Sequence, residues 1–148
     1  HFAIVARTDA RGVEGFEAAV GRVRRYLEAG ADIIFPEALR SREEFAEFRR
    51  ATPAPLLANM TEFGRSPLLR VSELDELGYR IALFPVTAFR AAMKAAENAL
   101  REIVHAGSQR DVLDSMQTRA ELYDLLGYQG YEERDRAYFG ESSTEDDR

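Results

Sequence analysis

Arg7, Thr8 and Asp9 close one apolar run of this chain, and Glu37 follows a second through Pro36. Asn59, Thr61 and Glu62 end a third, while Thr87 and Arg90 stand just beyond a fourth. Guanidinium, hydroxyl, amide and carboxylate groups at four run ends are more than ending a strand requires, though they do not name a reaction. Arginine offers a planar two-pronged donor for carboxylate, and Asn and Thr add single neutral donors. Each group alone has an ordinary explanation. Arg7 can pair with Asp9 or Glu37, and Asn59 and Thr61 can serve a turn through side chain to backbone bonds. Glu62 lies further into its loop and reads as a surface carboxylate. Recurrence at four successive run ends favours one shared site over four unrelated loops.

The elements that must position these groups alternate along the chain. Residues 2–6 form a short apolar run, the first expected strand. Val13, Phe16, Val20, Val23 and Leu27 then recur at steps of three and four, one face of a helix, and Gly30 stops it. Residues 32–35 make the second strand. Ser41 with Glu44 reads as a capping box opening a helix that carries Phe45 and Phe48. Residues 55–58 are the third strand. Ser72 with Asp75 marks a short helix bearing Leu74 and Leu77 and ended by Gly78. Residues 80–84 are the fourth strand. A long helix over 88–106 places Phe89, Met93, Ala96, Leu100 and Ile103 on one stripe, with Gly107 as its stop. Helical stretches at 112–116 and 118–126 follow, then an aromatic, charged segment with Tyr128, Tyr131, Tyr138 and Phe139. Residues 141–148 read as a frayed acidic tail.

Strands alternating with helices imply an α/β fold with parallel pairing. Strand starts lie about 25 to 30 residues apart, and a closed eight-stranded barrel takes roughly 250 residues. The expected fold is therefore the second half of a (β/α)8 TIM-type barrel, four βα units, followed by C-terminal helices. The expected division is 1–107 for the half-barrel with its long helix, 108–140 for a helical extension, and 141–148 for the tail. An open doubly wound sheet competes, but residues 7–12 do not make its glycine-rich phosphate loop. In a parallel barrel the carboxyl ends of the strands converge on one mouth, where active sites sit.

Bulk properties narrow the partners. The chain has 148 residues, 45% hydrophobic and 31% charged, which is enough for a globular domain with a core. Its net charge of −6 argues against nucleic-acid binding, which needs a surplus of Lys and Arg. Cysteine is absent, which excludes disulfides and thiolate metal ligands from these residues. No apolar run reaches bilayer length and no leader opens the chain, so a cytoplasmic protein without membrane contact is expected. The chain begins directly on a strand without Met, and the reading expects it to be the later part of a longer one.

Ordered motifs then resemble a known family. They are Ala6-Arg7-Thr8-Asp9-Ala10, Gly30-Ala31-Asp32, Phe35-Pro36-Glu37-Ala38 and Ala58-Asn59-Met60-Thr61-Glu62-Phe63-Gly64. All are similar to the isocitrate lyase / phosphoenolpyruvate mutase superfamily. The stretches from Phe84 to Ala92 and from Met116 to Tyr123 narrow the likeness to its 2-methylisocitrate lyase branch, up to about Phe139. The resemblance implies a Mg²⁺-dependent barrel that cleaves 2-methylisocitrate to pyruvate and succinate in the methylcitrate cycle of propionate breakdown. It also implies a homotetramer with exchanged C-terminal helices. Carried over by motif, Arg7 grips the hydroxy-acid end of a tricarboxylate substrate and Glu37 hydrogen-bonds near it. Asn59, Met60 and Thr61 hold a carboxylate, and Arg90 and Arg119 are further substrate-binding arginines.

The family's catalytic cysteine, in a Lys-Lys-Cys-Gly-His loop, has no counterpart here, so no catalytic residue is assigned. Its metal-binding aspartates belong to earlier strands and are also missing. Truncation explains both absences, and these residues alone are expected to be inactive. Dimethylmalate lyase, oxaloacetate decarboxylase or a phosphonopyruvate-processing enzyme would keep the same barrel and metal. A non-catalytic half-barrel that only associates with like chains is the reading from a different class.

Overall fold

The computed structural model describes residues 2–140, which divide between Met93 and Lys94 into two compact units. The expected tail, 141–148, lies outside the described residues. In the first unit the order is β1 (Val5–Thr8), α1 (Ala10–Val13), α2 (Phe16–Glu28), β2 (Ile33–Pro36), α3 (Arg42–Ala51), β3 (Leu57–Asn59), α4 (Val71–Glu76) and β4 (Ile81–Leu83). The long helix α5 (Thr87–Ala106) starts in this unit and runs on into the second. The division thus falls inside the long helix, whereas the sequence boundary at 107 stands just after it.

β1 lies parallel to β2, with Val5 opposite Ile33 and Thr8 opposite Pro36. β3 lies parallel to β4, with Leu57 opposite Ile81 and Asn59 opposite Leu83. A parallel bridge between Ile34 and Leu56 joins the two ladders, so the strands stand side by side in chain order. Parallel neighbours need a crossover between them, and helices supply it here. Even-numbered strand residues Thr8, Ile34, Pro36, Leu56 and Ala58 are buried. Of these, Ile34, Leu56 and Ala58 join Ala19, Val20 and Val23 of α2, Phe45 and Phe48 of α3, and Leu74 of α4 in one core. Phe16 meets Phe48 edge-on at 5.8 Å, and Phe45 packs on Tyr79 at 5.3 Å. The Tyr79 hydroxyl donates to the Phe45 carbonyl at 3.2 Å. Burial pushes its ionisation well above the usual phenol range. Odd-numbered residues Val5, Arg7, Ile33, Phe35, Asn59, Ile81 and Leu83 point to the opposite face and stay partly or fully exposed.

Several sequence boundaries are corrected. The first strand is Val5–Thr8, not residues 2–6, because the ladder with Ile33–Pro36 sets its length and draws Arg7 and Thr8 into it. Ile4 stays outside, though its carbonyl accepts from Asp32 and Ile33 and its N–H donates to Asp32 Oδ2 at 2.8 Å. Val13 is not part of the α2 stripe. Gly15, at φ +102°, breaks the chain between α1 and α2 and leaves Val13 exposed. The Ser41 capping box forms by half: Ser41 Oγ accepts from Glu44 N–H at 3.3 Å, but the Glu44 carboxylate takes Arg40 N–H instead. α4 begins before Ser72. It starts at Val71, with Glu73 accepting from Arg70 N–H at 2.8 Å, so Ser72 and Asp75 lie inside the helix.

The second unit contains the rest of α5, a 3-10 helix (Arg110–Ser115), α6 (Arg119–Leu126) and α7 (Tyr128–Phe139). Gly107 follows α5 at φ +69°. Thr118 caps α6 reciprocally with Glu121, donating its N–H at 2.7 Å and accepting at 3.2 Å. The aromatic, charged segment is α7, joined to α6 by Gly127 at φ +60°. Tyr123 and Tyr128 stack across that joint at 4.4 Å. Among the described residues no helix is long and apolar enough to cross a membrane.

Candidate functional site

The site begins with Arg7, third residue of β1, on the exposed face and at the carboxyl end of its strand. Its Nε and Nη2 donate to the two oxygens of Asp9 at 2.9 and 2.8 Å. The same Nη2 lies 3.3 Å from Glu37 Oε2, just past β2. Glu37 Oε2 also accepts from Asn59 Nδ2 at 3.2 Å, and Asn59 Oδ1 accepts from Thr61 Oγ1 at 2.7 Å. One line of hydrogen-bonding groups therefore crosses three adjacent strand ends. Phe35, beneath the line, places its ring 4.8 Å from the Arg7 guanidinium carbon. The Arg7 guanidinium holds the Asp9 carboxyl below the usual range through its hydrogen bonds.

A second cluster joins the loop after β3 to the first turn of α5. Arg90 Nη1 donates to the Glu62 backbone carbonyl at 2.8 Å and lies 3.3 Å from Glu62 Oε2. The Thr87 hydroxyl donates to Glu62 Oε1. That hydroxyl, the residue's own N–H and Arg90 together lower the Glu62 pKa, with Thr87 the largest cause. The next residue, Phe63, sits at φ +61° with its ring 5.4 Å from the Arg90 guanidinium carbon. Ala38, directly after Glu37, is likewise left-handed at φ +62°. Side chains with a Cβ seldom adopt this backbone, and both strained positions adjoin a carboxylate of the site.

The expected residues fall into three places. Arg7, Glu37, Asn59 and Thr61 come together in one network. Met60 stands among them in sequence, but its side chain is 2% exposed in the core, where its sulfur accepts from Leu69 N–H at 3.3 Å. The Met60 N–H donates to the Leu83 carbonyl at 2.8 Å, which leaves the residue no free donor for a carboxylate at the strand end. Arg90 belongs to the second cluster, and Arg119 opens α6 in the second unit. The reading of Glu62 as a surface carboxylate is corrected. Its side chain is 21% exposed and holds a partner 28 residues away. No local spacing signals that contact. Among the described residues no three His, Asp or Glu side chains gather as metal ligands. Asp9 and Glu37 are both engaged by Arg7, so the donors present do not fit a Mg²⁺ site.

The chain is 64% identical over 132 residues to 2-methylisocitrate lyase of Aeropyrum pernix, covering 89% of this chain and 43% of that protein. It is 50% identical over 133 residues to 2-methylisocitrate lyase of Bacillus subtilis, covering 90% of this chain and 44% of the other. The chain thus spans less than half the length of these curated relatives. Among solved structures, oxaloacetate acetylhydrolase in complex with 3,3-difluorooxalacetate superposes with a TM-score of 0.84 at 33% identity, over 95% of this chain and 47% of that one. Residues 1–104 match the model of the family described as phosphoenolpyruvate phosphomutase. The chain, with its row of parallel strands and its polar strand ends, belongs to the phosphoenolpyruvate phosphomutase family.

Proposed function

We propose that this chain supplies the later half of a (β/α)8 lyase that cleaves 2-methylisocitrate to pyruvate and succinate. The observation that carries the reading is the line Arg7, Glu37, Asn59, Thr61 across three strand ends. It occurs in a chain 64% identical to a 2-methylisocitrate lyase. Two features support the half-barrel. The strands run parallel in chain order, and on their odd-numbered face the apolar side chains Val5, Ile33, Phe35, Ile81 and Leu83 stay open, as on an interior wall without its opposing strands.

Cleavage breaks the bond between the carbinol carbon and its neighbour. The hydroxyl loses its proton, a ketone forms at the pyruvate end, and the bond's electron pair moves to the succinyl carbon, which then takes a proton. In this reading Arg7 holds the hydroxy-acid carboxylate, Glu37 fixes the guanidinium and bonds near the hydroxyl, and Asn59 and Thr61 donate to a further carboxylate. The Met60 N–H is held by the Leu83 carbonyl, so Asn59 and Thr61 carry the strand-end role, and Arg90 takes further negative charge; Arg119 is a substrate-binding arginine by resemblance alone. The proton donor and the Mg²⁺ ligands implied by the resemblance lie outside these residues. The exposed apolar side chains Phe89, Met93, Leu100 and Ile103 of α5 support a homotetramer that exchanges its C-terminal helices.

Likeness to an acetylhydrolase at 33% identity favours a second reading, cleavage of a four-carbon keto acid, but more weakly than the 64% match. Calorimetric titration of the complete protein decides between them. Tighter binding of 2-methylisocitrate than of isocitrate or oxaloacetate is expected, and preference for oxaloacetate overturns the assignment. Residues 1–148 alone are expected to release no pyruvate, and robust Mg²⁺-dependent turnover by them would sink the half-barrel reading.

A further inference from the structure

We infer that Glu62 and Phe63 form a cradle that positions Arg90 for a substrate carboxylate. The inference rests on the proposed reading of Arg90 as a substrate-binding arginine. Three contacts from two consecutive residues reach one guanidinium: the Glu62 carbonyl at 2.8 Å, Glu62 Oε2 at 3.3 Å and the Phe63 ring at 5.4 Å. The other oxygen of Glu62 takes the Thr87 hydroxyl, so the carboxylate bridges two side chains of the first turn of α5. Arginine has many rotamers, and a fixed guanidinium loses less entropy when it binds.

Phe63 supports a role in positioning over one in packing. Among the described residues Phe63 is 95% exposed and joins no core residue, yet its backbone is held at φ +61°, where glycine would be unstrained. Gly64 follows immediately and could have taken the turn without a ring. An exposed aromatic kept on a strained backbone, with an arginine over its face, contributes to that arginine's placement more than to stability. Arg90 is thus held at Nη1 by carboxylate and carbonyl, with its guanidinium over a ring. Its Nη2 edge, which no contact of the cradle uses, is the edge left to a ligand.

The test uses the complete protein with 2-methylisocitrate. Glu62→Gln and Phe63→Gly should each lower kcat/KM by roughly 10-fold to 100-fold, mainly through KM. Phe63→Gly should melt at or above the parental temperature, which a residue needed only for folding would not do. Glu62→Gln combined with Arg90→Ala should be no worse than Arg90→Ala alone. Fully additive losses in that double variant, or parental KM in Glu62→Gln and Phe63→Gly beside a raised KM in Arg90→Ala, overturn the cradle. A parental KM in Arg90→Ala removes the reading of Arg90 on which the cradle rests.

Discussion

Arg7 serves two carboxylates with one guanidinium, and the division of labour is uneven. Asp9 takes the Nε and Nη2 edge in fork geometry, while Glu37 shares only Nη2. The free edge of the guanidinium therefore carries the Nη1 donors toward a ligand, and Asp9 sets its angle. Because Arg7 lowers the Asp9 pKa, the pair favours the folded state above the ordinary aspartate value. That contribution disappears as pH falls through the lowered folded value. Both side chains are about half exposed, so the stability effect is small, and the midpoint is the better readout. Arg7→Met should raise the Asp9 midpoint toward the ordinary value in a carboxyl-detected NMR titration. An unmoved midpoint would show that the fork does not form in solution. The sequence placed Asp9 and Glu37 as possible partners of Arg7, Asp9 by its two-residue spacing and Glu37 by its place at the next strand end. It did not reveal Glu62 as the partner of Arg90, since contacts across 28 residues depend on how β3 and α5 are brought together.

At the scale of elements, α1 and α3 are joined by an ion pair with better shielding. Arg11 donates through Nε at 2.9 Å and Nη2 at 2.5 Å to Glu44, with side-chain exposures of only 15% and 22%. Glu44 also accepts from Arg40 N–H, so one carboxylate anchors the entry of α3 as well. Arg11→Met should cost about 1–2 kcal/mol at neutral pH in urea denaturation of the complete protein. Arg11 holds the Glu44 carboxyl below its ordinary value, so the cost should shrink as pH falls through that lowered value. A cost independent of pH would assign the effect to packing. Gly15 makes a second prediction, because φ +102° with ψ 176° is accessible essentially to glycine alone. Gly15→Ala should destabilise by about 1–3 kcal/mol and leave the open space around it unfilled. Helices α2, α3 and α5 were legible from apolar spacing. The shifted start of β1 was not, because a strand's extent belongs to the ladder and not to its own hydrophobicity.

For the whole molecule, the apolar groups left open are the informative ones. Leu100, Ile103 and Val104 are exposed along α5, and no residue of α6 or α7 is buried. Amphipathic helices of this kind gain most of their stability by burying the apolar stripe against a neighbour. Leu100→Glu should therefore weaken assembly of the complete protein, seen as a smaller sedimentation coefficient at equal concentration. An unchanged coefficient removes α5 from the interface.

By itself the sequence determined the alternation of strands and helices, the parallel class, and which strand ends are polar. These follow from local periodicity, glycine stops and residue type, which act over a turn or two of chain. The tertiary structure alone decided that Arg7, Glu37, Asn59 and Thr61 form one hydrogen-bonded line, that the Met60 side chain turns into the core, and that Glu62 reaches Arg90. Those outcomes depend on register and on which face of each strand the helices cover. Both are set by long-range packing, which residue spacing does not encode.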